Sequence, residues 1–170
     1  GDAPSIAART GAKIVSTPEV ISVCESQTLA EIASCPMNIG GSLNLPFGKV
    51  RMTFAQHSAG VAGGIACGFV VYIGGRTVYY AGDTALFSDM QLIGRKDSID
   101  YAVLPIGDNY TMGLEDAAMA AQWVNAGHVI PVHYNTWPII KQEARHYKDV
   151  TEAMTRARVH IMAPGDTMEL

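Results

Sequence analysis

The chain has 170 residues, of which 48% are apolar and 16% charged, and its formal net charge is -4. That length fits one domain with a proper core, and the composition excludes a disordered or fibrous protein. The acidic balance leaves no basic footprint, which excludes nucleic acid as the expected partner.

Pro4 to Arg9 reads as a short helix ended by Thr10-Gly11, and Ala12 to Ser16 as a buried strand. Thr17-Pro18-Glu19 opens a second helix, with Thr17 as N-cap and Pro18 at the first helical position. Its helical pattern runs on through Leu29 and Ile32 towards Cys35. From Met37 the texture changes. Gly40-Gly41, Pro46-Phe47-Gly48, Gly63-Gly64 and Gly74-Gly75 punctuate segments rich in Val, Ile, Phe and Tyr. These predict strands over 41–45, 49–56, 67–73 and 76–81, with Gly74-Gly75 as a hairpin turn.

Helix and strand then alternate. Helices are expected over Leu86–Ile93, Leu114–Asn125 and Lys141–Met154, and strands over Tyr101–Pro105, Val129–Val132 and Val159–Met162. Thr167–Leu170 adds a last short strand, and Thr111 caps the helix in which Glu115 and Asp116 complement the positive end. A meander followed by alternation predicts a mixed sheet layered with helices, of α/β or α+β type, and one domain over 1–170.

No apolar run reaches the roughly 18 residues of a membrane span, and no signal peptide precedes the first helix. Cys24, Cys35 and Cys67 are odd in number and lack CxxC spacing, so they read as reduced thiols of a cytoplasmic protein.

Asp83 carries the strongest chemical signal. The apolar strand Val78-Tyr79-Tyr80-Ala81 stops at Gly82-Asp83-Thr84, and packing explains a carboxylate there poorly. His57 follows the strand Val50–Ala55, and His133 ends Val129-Ile130-Pro131-Val132. Open sheets gather ligands beyond the carboxyl ends of their strands. A lone loop histidine is more often a hydrogen-bonded structural residue; two of them with a carboxylate, each at a strand end, point to one metal site. Imidazole and carboxylate suit zinc, iron and manganese, and a carboxylate has two oxygens with which to bridge two ions. His128, His146 and His160 read as structural.

Other chemistries find little support. No GxSxG elbow accompanies Ser58, no thiol has the flanks of a nucleophile, and Gly60–Gly64 lacks the GxxxxGK[ST] of a phosphate loop. That glycine-rich stretch reads instead as a mobile loop over the site.

Several ordered motifs carry a family resemblance. They are Met37-Asn38-Ile39-Gly40-Gly41, Phe54-Ala55-Gln56-His57-Ser58, Tyr80-Ala81-Gly82-Asp83-Thr84 and Leu104-Pro105-Ile106-Gly107, then Thr111 to Ala118 and Ile130-Pro131-Val132-His133-Tyr134-Asn135-Thr136. The chain resembles the metal-dependent hydrolases of the metallo-β-lactamase superfamily, in the small bacterial and archaeal branch related to the ascorbate-6-phosphate lactonases. The resemblance implies a four-layer αββα sandwich with two divalent metal ions, zinc first and manganese or iron as substitutes. His57 then matches a ligand of the first ion, His133 a ligand of the second, and Asp83 the bridging carboxylate. In that family a metal-bound hydroxide attacks the substrate, so the resemblance implies hydrolysis of a small-molecule ester, lactone, amide or phosphoester. Asn109, Tyr110 and Asn135 fall in loops after strand ends and are the expected substrate-binding rim.

One departure is sharp. The superfamily's HxHxDH motif is absent, and the chain resembles roughly the last three quarters of such a hydrolase. Sharing Asp83, each ion would receive only two ligands from this chain, where a catalytic zinc normally has three plus water. Metal is therefore expected to bind weakly, with little catalysis by the chain alone. A separate or cleaved N-terminal segment is an expected partner, and a homo-oligomer is compatible with the sequence. Two alternatives stay open: a non-catalytic binding or regulatory remnant, and a two-His-one-carboxylate site for a single iron.

Overall fold

A computed structural model describes residues 1–170. Five helices, α1 (Ala3–Thr10), α2 (Pro18–Ser26), α3 (Met90–Lys96), α4 (Leu114–Val124) and α5 (Ala144–Met154), accompany nine strands. The strands are β1 (Ile14–Ser16), β2 (Ser34–Pro36), β3 (Ser42–Leu45), β4 (Gly48–Phe54), β5 (Cys67–Ile73), β6 (Arg76–Tyr80), β7 (Tyr101–Pro105), β8 (His128–Val132) and β9 (Arg158–Val159). β1 and β2 pair in parallel as a two-stranded sheet, while β3 to β9 form a seven-stranded sheet in chain order.

That order decides where the loops go. β3 to β6 pair antiparallel, and β6 to β9 pair parallel. Because β4 and β6 both run antiparallel to β5, the chain leaves β4, β6, β7 and β8 at the same edge of the sheet. The Gly74-Gly75 turn makes this possible: both residues have positive φ (58° and 78°), and Ile73 pairs with Arg76 across them.

One face of the large sheet is dry. Val70, Tyr79, Ala102, Leu104, Val129 and Val159 pack there against the alanine-rich side of α4, together with Met90 and Tyr147 from α3 and α5. Ala117, Ala118, Ala120 and Ala121 are buried, so α4 lies close on the strands. A buried ion pair also lies on this face. Arg51 of β4 bonds Asp97, just past α3, and the Tyr72 hydroxyl donates to the other carboxylate oxygen. Removing one partner of such a pair strands a buried charge and costs about 3–5 kcal/mol.

The opposite face is only partly covered. Val15 of β1 and Val50 and Phe69 of the large sheet line a common cavity, so the small sheet sits over that end with α1 and α2 beyond it. The layers run helix, sheet, sheet, helix, as the resemblance implies. Past the small sheet, Val71, Val78, Val103 and Ile130 are half-buried, and Phe54 and Tyr80 remain 42% and 50% exposed.

Several local expectations need correction. The second helix ends at Ser26, and Cys35 lies in β2, whose backbone is satisfied by parallel pairing with β1. Leu86 and Phe87 pack against the core as irregular chain, and α3 starts only at Met90. Thr111 does not cap α4: Gly113 occupies that position, while the Thr111 hydroxyl is buried without a partner. Pro138–Ile140 forms a 3-10 turn, which delays α5 to Ala144, and β9 stops at Val159. Thr167–Leu170 is not a strand.

Candidate metal centre

The shared edge gathers the chemistry. β4 delivers His57, β6 delivers Asp83, β7 the loop Gly107–Thr111, and β8 His133. Asp83 follows Gly82, whose φ of 68° turns the chain sharply off the strand. His133 itself adopts φ 57°, a left-handed conformation rare for a residue with a side chain. Such backbone costs energy and is held by its surroundings.

His133 and Asp83 come together. The imidazole Nε2 stands 3.6 Å from Asp83 Oδ2, across the intervening end of β7. The distance is too long for a hydrogen bond. It suits two donors that each approach one shared ion at roughly 2.0–2.2 Å. Neither side chain has a hydrogen-bond partner in the protein, and His133 Nδ1 is buried and unpartnered. The pair thus keeps its lone pairs free, and its chemistry fits a divalent ion.

His57 is not part of that close pair. Its ring is exposed, with Nδ1 2.8 Å from the Ser58 carbonyl. A proton on Nδ1 directed at that carbonyl leaves the Nε2 lone pair free for a metal. No group of three or more His, Cys, Asp and Glu side chains is assembled as a metal cage within this chain.

The rim residues differ from one another. Asn109 and Tyr110 are exposed in the loop after β7, on the edge that bears His133 and Asp83. Asn135 has φ 62°, and its amide is engaged twice: Nδ2 donates to the Gln142 carbonyl (3.1 Å), and Oδ1 accepts from the Gln142 amide (2.8 Å). The Asn135 side chain thereby clips the loop after His133 to the approach to α5. Gly63 of the glycine-rich stretch lies against Glu19 of α2.

Three residues that sequence reasoning passed over also shape the edge. Trp137 is 47% exposed and meets the His133 ring edge-on, with centroids 5.9 Å apart. Gly107 is buried, and a Cβ there would come within 2.3 Å of the His133 carbonyl oxygen and 3.2 Å of its Nδ1. Thr84 is fully buried beside Asp83. The remaining histidines lie elsewhere: His128 Nδ1 is 2.9 Å from His160 Nε2, and Tyr101 stacks on His128. His146 is exposed on α5.

Comparison with known proteins places this edge in context. A family model described as a β-lactamase superfamily domain matches residues 1–134. A UPF0173 metal-dependent hydrolase of Natranaerobius thermophilus is 46% identical over 170 residues, covering 100% of this chain and 75% of the relative. Another from Pyrobaculum calidifontis is also 46% identical, over 171 residues, with the same coverage. Among solved structures, Igni18, a metallo hydrolase of the archaeon Ignicoccus hospitalis, superposes with a TM-score of 0.90 at 36% identity, covering 99% of this chain and 72% of that one.

Proposed function

The chain belongs to the metal-dependent hydrolases of the β-lactamase superfamily, and on that premise we propose that it hydrolyses an ester, lactone, amide or phosphoester bond at a pair of divalent ions. The observation that carries the reading is the His133–Asp83 pair, 3.6 Å apart with both side chains free of protein partners. Bound zinc, or manganese or iron in its place, would supply an acidified water and Lewis-acid stabilisation of the developing oxyanion.

The chain's own groups then have distinct tasks. Asp83 and His133 would hold an ion between them, and Asp83 would be the carboxylate shared with a second ion. His57 presents Nε2 from the loop after β4. Asn109 and Tyr110 orient a small-molecule substrate from the loop after β7, and Asn135 holds the His133 loop in place from behind. The three unpaired cysteines favour a cytoplasmic setting, and no helix is long and apolar enough to cross a membrane.

Further ligands come from outside these residues. The chain spans three quarters of its relatives' length, and the half-covered sheet face around Tyr80 and Val103 offers a seat for additional strands. We place the completing segment before Gly1, either continuous with this chain or bound as a cleaved or separate piece. The test compares hydrolysis of generic aryl esters and phosphodiesters, with added zinc or manganese, by this chain alone and by this chain with that segment. Activity only in the second case supports the proposal. No activity in either would favour a second reading, a non-catalytic binding module.

A further inference from the structure

We propose that Thr84 is a positioning residue that sets the separation of the two loops bearing His57 and Asp83; this rests on the reading of those residues as ligands. β4 and β6 are not neighbours, because β5 lies between them. Adjacent strands lie roughly 4.8 Å apart, so the two strand ends start about 10 Å from each other. The chain beyond β6 must therefore cross the start of β5 to approach the β4 loop. It does so closely: a Cβ on Gly82 would stand 2.8 Å from the Cys67 carbonyl oxygen, and one on Gly68 would stand 2.6 Å from the carbonyl oxygen of Tyr80.

The crossing ends in a clamp. The Thr84 hydroxyl accepts from the Gln56 amide at 2.9 Å and donates to the Ala85 carbonyl at 2.7 Å. The Ala85 amide closes the bridge by donating to the Gln56 carbonyl at 3.1 Å. Both backbone polar groups of Gln56 are thus held by the pair 84–85. His57 is the next residue after one side of the clamp, and Asp83 immediately precedes the other. Thr84 is 0% exposed, so no water can substitute for its hydroxyl without a rearrangement.

The hydroxyl and the methyl group make separable contributions. Thr84→Ser keeps the donor and acceptor, whereas Thr84→Val keeps the shape and removes both. In the full-length protein, titration with Co²⁺ should show Thr84→Val binding about 10–100-fold more weakly, the range expected when support behind a ligand is lost. Its cobalt spectrum should change, and its Gln56 amide should exchange faster with solvent. Thr84→Ser should restore affinity and spectrum. Should Thr84→Val not fold, Thr84→Cys lacks the methyl group, as serine does, but carries a poor acceptor, and should show the same weakening. Wild-type cobalt affinity and spectrum in the valine or cysteine variant, or a serine variant as weak as valine, would overturn the positioning role. A wild-type protein that takes up no cobalt would instead contradict the metal reading itself, and the positioning role with it.

Discussion

His133 Nε2 stands 3.6 Å from Asp83 Oδ2, although 50 positions separate the two residues in a 170-residue chain. Parallel pairing of β6, β7 and β8 brings both strand ends to one edge, where two left-handed backbone turns, at Gly82 and at His133 itself, accompany the meeting of the side chains. Neither group has another partner, which is what an ion-binding pair requires and a structural hydrogen bond does not.

Gly107 guards that geometry. A methyl group there would press on the His133 backbone oxygen at 2.3 Å, too close for any small adjustment. Gly107→Ala should cost about 1–3 kcal/mol by overpacking, and should weaken zinc binding about tenfold or more by displacing His133. At Gly113 a Cβ would meet only side-chain atoms of Asp108, the nearest at 3.6 Å, so Gly113→Ala should keep zinc affinity close to wild type. Isothermal titration of both variants checks the contrast.

Trp137 reports on the same ring. Its indole lies edge-on to His133 at 5.9 Å, whereas the other tryptophan, Trp123, belongs to α4 and packs partly buried against the core. Copper or cobalt bound by His133 should quench Trp137 emission. Trp137→Phe should remove most of the quenching, and His133→Ala should abolish it while leaving the emission itself. Fluorescence titration reads both outcomes.

The pair His128 and His160 should make the fold sensitive to acid. Burial, followed by His128, Arg158 and Lys148, lowers the His160 pKa below 6.5, while Glu152 opposes the shift. A base with a depressed folded pKa binds fewer protons folded than unfolded, so stability falls as pH drops below the unfolded value of about 6.5. The loss levels off below the folded pKa. His160 Nε2 lies 2.9 Å from His128 Nδ1, beside the Tyr101 ring stacked on His128. Thermal melts between about pH 7.5 and 5 should show a falling Tm, and His160→Gln should flatten that slope.

Much of the fold was legible because its signals are local. Gly74-Gly75 marked a hairpin, and the strand Tyr101–Pro105 lay where its apolar run placed it. His57, Asp83 and His133 were legible as candidates because each follows a strand end. Other features depended on the assembled chain. Cys35 sits in a strand only because β1 offers a parallel partner, which a helical run of apolar residues cannot announce. The role of Thr84 rests on a buried hydroxyl bonded 28 positions away at Gln56, and that of Gly107 on the His133 carbonyl, supplied by the loop after another strand. Asn135 reads as a rim residue in sequence; that its amide also bonds the Gln142 backbone becomes visible only once the 3-10 turn brings 142 back.

Anomalous scattering from zinc-soaked crystals of this chain together with the proposed completing segment tests the central claim most directly. An ion between Asp83 and His133, within about 2.0–2.2 Å of a donor atom on each, and a second ion reached by His57, is the expected result. Zinc found only at other sites, or an empty gap with His133 bonded directly to Asp83, would contradict it.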